Sequence, residues 1–286
     1  MFGALVPVTV VDRARALRAA LGLGAGLALL GAGLTAWAHA EDTGMLRLRA
    51  ELGDRPAQTR LAGRLEGREG GKPDYAAAAT FYFRAARAGD PVAQRRLGML
   101  YHEGQGVSRD AGLARRWFLE AARRGDVDAQ VLAATCYHLG EGGPKDLAEA
   151  LRWYEAAAAQ GDQGAMFALA FLYEGADGVR PDPHLVLHWY AAAAEGGAAA
   201  AQFHLGLIYE EGRGTARSMD QAVKWYSLAA TQRHGLAAQA LNDLRRALPA
   251  AKLLPGQMLA ADWRKRHAGR VNQKVEPRPG SLSTPI

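Results

Sequence analysis

Apolar and aromatic positions recur along most of the chain with a period of 36 residues. Each period holds two segments whose apolar residues are three or four apart, the spacing of one face of an α-helix. Aromatic pairs mark the second segment of each period: Phe81-Tyr82, Trp117-Phe118, Trp153-Tyr154, Trp189-Tyr190 and Trp225-Tyr226. The pattern predicts an all-α protein with five helix pairs over residues 54–233.

Glycine and aspartate recur where one helix is expected to end and the next to begin. Gly89-Asp90, Gly125-Asp126 and Gly161-Asp162 occupy the same place in successive units. Glycine readily adopts the left-handed conformation that closes a helix, and an aspartate side chain caps the free amides of the following one. A single helix pair cannot bury both of its apolar faces, so the pairs must stack. The sequence therefore predicts an α-solenoid with a concave face lined by the first helix of each pair.

Composition changes this interpretation little, but the distribution of charge excludes one class of partner. The chain has 286 residues and a formal net charge of +6, with basic residues concentrated near both ends. The body between the ends is close to neutral and lacks the basic face that phosphate binding requires. We therefore expect no nucleic-acid partner.

The N-terminal residues 1–40 read as an export signal or membrane anchor. Three arginines (Arg13, Arg15 and Arg18) precede an uncharged run over residues 19–38. The run can be cleaved after Ala40, at a small-x-small site, or can remain as a membrane-spanning anchor. The flanking charges place the rest of the chain outside the cytoplasm, in the periplasm. Residues 41–53 are expected to form a leading helix or linker.

The second unit resembles the Sel1-like repeat, a relative of the tetratricopeptide repeat. The matching residues are Ala93-Gln94, Leu97-Gly98, Tyr101, Gly104, Gly106-Val107, Asp110, Ala114, Trp117-Phe118, Ala121-Ala122 and Gly125. The resemblance covers about two thirds of the chain and implies a right-handed superhelix of helix pairs. It also implies an adaptor function, because exported bacterial members often regulate envelope signalling, secretion or polysaccharide assembly. Cysteine-rich members staple each repeat with a disulfide, whereas this chain has only Cys136, which we interpret as a small core residue.

The repeat sequence becomes less regular toward the C-terminus. Ala176-Asp177 replaces the usual glycine before Gly178, and Gly235 follows its expected position by two residues. Residues 234–268 are expected to form a helical cap, with helices over Leu236–Leu248 and near Pro255–His267. The Pro-, Ser- and Arg-containing tail over residues 269–286 is expected to be disordered.

An apolar patch with an acidic rim is the candidate partner site. Its members lie on the first helices of the fourth and fifth units: Phe167, Phe171, Glu174, Phe203, Leu207 and Glu210. Exposed apolar patches rimmed by charge often bind proteins. The alternative is that these side chains pack between successive first helices.

A basic residue precedes each tryptophan: Arg116, Arg152, His188 and Lys224. Long basic side chains on a solvated convex face often cover neighbouring rings, which is the interpretation we favour. Binding to anionic lipid head groups is the alternative.

No catalytic motif is recognisable in the sequence. It lacks a Gly-rich phosphate loop, a nucleophile elbow and a His-Glu-x-x-His zinc motif. His184 and His188 have a spacing that can hold a metal ion, but nothing completes a site, so we expect no metal and no cofactor. We also expect no small-molecule substrate.

The sequence thus favours a non-catalytic adaptor that binds a protein partner of the bacterial cell envelope in its concave groove. The alternative is a membrane-tethered scaffold for a polysaccharide or secretion assembly, with an envelope hydrolase as a remote third reading.

Overall fold

The computed structural model describes residues 43–67 and 72–268. The chain divides into two compact units, residues 1–46 and residues 47–286, and the described part of the first is residues 43–46. The predicted export segment 1–40 and the predicted tail 269–286 lie outside the described residues. Within the described ranges, no helix combines the length and the apolar composition needed to span a bilayer.

Thirteen α-helices and one short 3-10 helix form the described part of the chain, which contains no strand. The α-helices are α1 Thr43–Glu51, α2 Arg55–Leu65, α3 Tyr75–Arg87, α4 Pro91–Glu103, α5 Ala111–Arg123, α6 Val127–Leu139, α7 Leu147–Ala159, α8 Gln163–Tyr173, α9 Pro183–Glu195, α10 Ala199–Glu211, α11 Met219–Thr231, α12 Gly235–Ala247 and α13 Ala250–His267. The prediction of an all-α solenoid is confirmed. We number the repeats 1 to 5 by their helix pairs, from α2–α3 to α10–α11.

Aspartate side chains begin the helices in the way the sequence pattern predicts. The carboxylate accepts a hydrogen bond from the amide three residues ahead at the start of eight helices; the capping residues are Asp54, Asp74, Asp90, Asp110, Asp126, Asp146, Asp162 and Asp182. Ser218 and His234 cap α11 and α12 in the same manner. Helix α10 follows Ala198, which has no side-chain acceptor. The same side-chain N-cap therefore begins most helices of the repeats.

Packing between neighbouring helices generates the core. The two helices of each repeat pack on each other, and the second helix packs on the first helix of the next repeat. Small residues permit this close approach: a Cβ at Gly98 would lie 2.6 Å from the ring of Phe118, and one at Gly206 would lie 2.5 Å from the ring of Tyr226. Cys136 is buried in this core, as expected, and burial raises the pKa of its thiol to about 12.

The structure departs from the regular repeat pattern in two places. In repeat 4, a 3-10 helix over Ala176–Gly178 replaces the usual loop, with Asp177 in the left-handed region at φ 57°. At the end of repeat 5, Arg233 takes the left-handed conformation at φ 65°, and Gly235 is the first residue of α12. Gly235 is therefore not a displaced helix end, because Arg233 already supplies the turn.

The last two helices complete the array. Helix α13 begins at Ala250, ahead of the start expected near Pro255. A proline early in a helix removes one hydrogen bond. Packing offsets this loss, since Leu253 is buried and Gly256 lies so close to α11 that a Cβ there would meet the Val223 side chain. Tertiary contacts, rather than the local proline signal, thus set the start of α13.

Candidate functional site

Helix α8 and its C-cap place the first half of the predicted partner site. Phe167 is half-buried, and its ring meets the rings of Tyr190 and His204 edge-on, each at 5.4 Å between centroids. Phe171, four residues on, remains 37% exposed. Glu174 accepts a hydrogen bond from the Tyr190 hydroxyl at 3.3 Å. The two phenylalanines therefore differ: Phe167 is packed between repeats and Phe171 faces solvent.

Helix α10 places the second half of the site. Phe203 and Leu207 are half-buried and pack on the core formed by α11 and α12. The ring of Phe203 stacks on His234, with centroids 4.9 Å apart. Glu210 accepts a hydrogen bond from the Tyr226 hydroxyl at 2.6 Å. Burial, and secondarily this carboxylate, raises the pKa of Tyr226, so the hydroxyl stays a donor.

His204 connects the two halves. Its ring is stacked on Tyr190, with centroids 4.9 Å apart and planes 12° from parallel. It also meets Phe167 at 5.4 Å and Phe203 at 5.6 Å, both edge-on. Burial lowers the pKa of His204, which favours the neutral ring in this aromatic setting. The sequence pattern did not predict this packing role of His204.

A cavity of about 430 Å³ opens between α10 and α12, and we call it the α10–α12 groove. Its lining includes Phe203, Leu207 and Glu210 from the predicted site, but not Phe167, Phe171 or Glu174. The remaining lining residues are Tyr226, Leu236, Gln239, Ala240, Asp243, Leu244 and Ala247. The sequence pattern placed α12 in the C-terminal cap, so its contribution to the groove was not predicted. The available signal was the spacing of Leu236, Ala240 and Leu244, which lie four residues apart on one helix face.

The groove combines apolar walls with carboxylates. Leu236 is 60% exposed at its edge, while Glu210 and Asp243 supply acidic groups. Such a surface suits an apolar segment of a partner that also carries a basic or hydrogen-donating side chain. The role of the six predicted partner-site residues stays a prediction.

Pairs of one basic and one acidic residue, 39 residues apart, connect successive repeats along the ends of the first helices. His102 contacts Glu141 at 3.2 Å, and His138 contacts Asp177 at 2.8 Å. The next pair reverses the order of charge, because Arg213 donates to Glu174 at 3.4 Å. We call these three contacts the inter-repeat ladder. Hydrogen bonds from His138 and then from Lys145 lower the pKa of Asp177 to about 2.

The basic residue before each tryptophan behaves differently in different repeats. Lys224 lies 3.7 Å from the centroid of the Trp225 ring, and Arg152 lies 5.5 Å from that of Trp153. His188 contacts Trp189 edge-on at 4.7 Å. Arg152 and Lys224 lie over their rings and His188 meets its ring edge-on, but Lys224 is buried rather than solvated. In the described part of the chain, Arg116 makes no such contact with Trp117 and is exposed.

The described residues contain no group of three or more His, Cys, Asp or Glu side chains placed to hold a metal ion. His184 and His188 are both exposed on α9. The arrangement as a whole offers shaped apolar and charged surfaces, which are the means of non-covalent recognition.

A model of the Sel1 repeat matches five consecutive segments of the chain, residues 55–90, 91–126, 127–162, 164–197 and 199–234. Each segment contains one of the five helix pairs. No match was found among proteins of curated function.

Solved structures resemble the chain over most of its length. One is a protective antigen present in uropathogenic Escherichia coli strains and displaying an SLR fold, with 30% identity and a TM-score of 0.70. That match covers 82% of this chain and 54% of the antigen. A Sel1 repeat protein from Oxalobacter formigenes has 29% identity and a TM-score of 0.63, with 71% of this chain and 58% of that one covered. This chain therefore spans a little over half the length of these two relatives.

Sel1 repeat proteins are in general adaptors that bind other proteins. The helix pairs, their capping aspartates and the five matched segments agree, and the chain belongs to the Sel1 repeat family.

Proposed function

We propose that this protein is a non-catalytic adaptor of the bacterial cell envelope and that it binds a segment of a partner protein in the α10–α12 groove. The observation that carries the proposal is the cavity of about 430 Å³ in which Phe203, Leu207 and Glu210 meet the exposed Leu236. A groove built on rigid helices lowers the entropic cost of ordering a bound segment, and aromatic anchors typically supply much of the affinity.

Leu236→Arg tests the groove, because Leu236 is 60% exposed and its replacement leaves the core intact. The variant and the wild type are tagged, cross-linked in cell envelopes and used to identify bound proteins by mass spectrometry. We expect a specific partner to be captured by the wild type and lost in the variant. Leu254→Arg is the matched control, since Leu254 is 55% exposed on α13 and lies outside the groove.

Capture of the same partner by the Leu236→Arg variant would reject the groove as the binding site. Phe171→Ser is then the next variant to examine, because Phe171 is the exposed phenylalanine of the α8 half. Circular dichroism of each variant shows whether the helices remain folded.

The envelope location is part of the same proposal and rests on the N-terminal sequence. Arg13, Arg15 and Arg18 ahead of the uncharged run 19–38 support export across the inner membrane. Mass spectrometry of the mature protein tests it. A chain starting at Glu41 in the periplasmic fraction supports a soluble regulator, and an intact Met1 in the membrane fraction supports a tethered scaffold. Recovery in the cytoplasm would contradict both.

A further inference from the structure

The face formed by the second helices carries a larger cavity, of about 580 Å³, at repeat 2. It lies between the end of α3, the start of α4 and one side of α5. Four arginines line it: Arg87, Arg116, Arg123 and Arg124. Leu113 and Trp117 form its apolar wall. We call it the arginine cavity.

Most of this positive charge is unpaired. Arg123 donates to Glu120 at 3.0 Å. Among the described residues, Arg87, Arg116 and Arg124 form no ion pair, and all of them are exposed. Three guanidinium groups without an ion-pair partner therefore line the cavity, beside the Arg123–Glu120 pair and the apolar wall of Leu113 and Trp117. Such groups can bind carboxylates of a ligand.

Gln94 adds a buried acceptor that has no donor. Its side chain is 2% exposed and donates through Nε2 to the carbonyl of Ala86 at 3.0 Å, while Oε1 has no partner. In repeats 3 and 5 the equivalent oxygens are satisfied. Gln160 donates to Gln130 at 2.8 Å, and Gln232 donates to Gln202 at 3.0 Å.

Arg124 occupies the place of those donating glutamines in repeat 2, and its guanidinium lies over Gly89 instead. An unsatisfied buried oxygen is destabilising and is uncommon in folded proteins. Because Gln94 lines the arginine cavity, its unpartnered oxygen is an acceptor for a ligand N–H or O–H group that reaches it.

The equivalent surface of repeat 5 is occupied by the chain's own helix α13. Trp225 occupies the position that Trp117 has in repeat 2, and it is 3% exposed because Trp263 packs beside it, with centroids 6.5 Å apart. Trp263 Nε1 donates to Glu195 at 2.7 Å. Glu195 corresponds to Arg87 of repeat 2. The second-helix face is therefore able to hold an amphipathic helix, and one repeat shows how.

We propose that the arginine cavity binds an amphipathic α-helix of a partner protein with acidic residues along one edge, in the manner in which α13 binds repeat 5. The charge of the partner helix follows from one difference between the two surfaces. Glu195 accepts a hydrogen bond from α13, whereas Arg87 at the equivalent position is a donor. The partner helix therefore presents carboxylates where α13 presents donors. A polar side chain of that helix donates to Gln94 Oε1. This surface is separate from the α10–α12 groove and shares no residue with it.

The described C-terminal helix α13 does not have the charge that this cavity favours. Helix α13 ends in Arg264, Lys265, Arg266 and His267, so the α13 of a second copy would bring like charge to the cavity. The sequence over residues 269–286 carries three basic residues and one acidic residue. A distinct acidic partner is the occupant that the charges favour.

A designed peptide tests the proposal directly. The probe is the 18-residue sequence of Ala250–His267 with Arg264, Lys265, Arg266 and His267 each replaced by glutamate, and the native sequence serves as the comparison peptide. Fluorescence anisotropy with the full-length protein measures binding of both peptides, whose helicity is compared by circular dichroism. We expect the acidic peptide to bind at least about tenfold more tightly than the native one, and its affinity to fall with added salt.

Paired variants locate the binding site. Arg116→Gln combined with Arg124→Gln is expected to weaken binding of the acidic peptide by about tenfold or more. Arg152→Gln, at the position equivalent to Arg116 in repeat 3, is the matched control and is expected to bind as the wild type does. Leu236→Arg should also leave peptide binding unchanged, which keeps this test independent of the α10–α12 groove.

Three outcomes would overturn the proposal. The first is equal affinity for the acidic and native peptides. The second is loss of peptide binding in Leu236→Arg but not in the double arginine variant, which would place the peptide in the groove. The third is binding of the protein to phosphatidylglycerol vesicles through Arg116 and Arg124 without binding of the peptide, which would assign the arginines to a lipid surface.

Discussion

Arg124 is the residue that separates repeat 2 from repeats 3 and 5. Its backbone, at φ −91° and ψ 6°, matches those of Gln160 and Gln232 at the equivalent helix ends. Only the side chain differs, and with it the hydrogen bond that would satisfy Gln94. In repeat 2, Arg124 therefore provides an exposed positive charge and lacks the stabilising hydrogen bond to Gln94.

We expect Arg124→Gln to raise the free energy of unfolding by about 1 kcal/mol, because the new amide can donate to Gln94 Oε1 as Gln160 does to Gln130. Urea denaturation monitored by circular dichroism measures the change. Arg123→Gln is the control, since Arg123 lies one residue earlier, within α5, and pairs with Glu120. A gain from both variants, or from neither, would contradict this account of Gln94.

Acid should destabilise the aromatic contacts around His204. Burial holds the folded-state pKa of His204 below its ordinary value of about 6.5, an effect that Glu174 opposes and that Arg213 and His234 reinforce. The folded state therefore binds fewer protons than the unfolded one. The contribution of neutral, buried His204 to the free energy of unfolding is fully present above pH ~6.5. It decreases as the pH falls below this value toward the lowered pKa of the folded state.

His204→Phe keeps a ring against Tyr190 but cannot titrate. We expect it to reduce the fall in unfolding free energy between about pH 7 and pH 5, measured by denaturation at several pH values. Burial also lowers the pKa of His234, so part of the pH dependence should remain. His184→Gln, at an exposed position, should leave the slope unchanged. An equal slope in the wild type and His204→Phe would refute this assignment.

At the scale of elements, α10 is the repeat helix whose start departs from the rule. Ala198 adopts φ −65° and ψ 113°, close to the φ −72° and ψ 112° of the capping residue Asp162. The backbone is therefore ready for a cap that the side chain does not provide. We expect Ala198→Asp to stabilise the protein by about 1 kcal/mol, and Asp162→Ala to destabilise it by a similar amount.

Thermal unfolding of these two variants and of the wild type tests both predicted changes in stability. The temperature midpoints should shift in opposite directions, by roughly 2–4 °C per kcal/mol for a chain of this size. Shifts in the same direction would show that the end of repeat 4 is governed by contacts other than the cap.

The helix pairs were predictable because most of their signals recur from unit to unit at one spacing. One aspartate cap such as Asp90 is weak evidence, whereas the same residue at a spacing of 36 is strong evidence. The start of α13 was not predictable, because its packing on α11 overrides the local signal of Pro255. The α10–α12 groove was found only in part, since Leu236 and Phe203 belong to different helices and their proximity depends on tertiary packing. The arginine cavity was not predicted for the same reason: Arg87 and Arg124 belong to different repeats, and they line one cavity only because α3 and α5 both pack on α4.

At the scale of the whole molecule, α13 closes the C-terminal end of the repeat array. Solenoid stability is carried largely by contacts between neighbours, so damage at one end should remain near that end. Trp263 is 2% exposed and bridges α13 to Trp225 and Glu195. Its loss should open the last helices while the earlier repeats stay folded.

We expect Trp263→Ala to cost about 3–5 kcal/mol locally and to increase amide hydrogen exchange in α11, α12 and α13. Exchange in α4 to α7 should be unchanged, which hydrogen-exchange mass spectrometry can resolve peptide by peptide. Leu254→Ala, on the same helix but 55% exposed, is the control. Uniform loss of protection across all repeats would mean that the array unfolds as a single cooperative unit.

The inter-repeat ladder has a consequence for how such a gene can change length. Loss of the codons for residues 127–162 would bring His102 opposite Asp177, which restores a pair of the original kind. Loss of residues 163–198 would instead bring His138 opposite Arg213, two groups that repel once the histidine is protonated. Deletion of repeat 3 would therefore preserve the order of basic and acidic residues in the ladder, whereas deletion of repeat 4 would not.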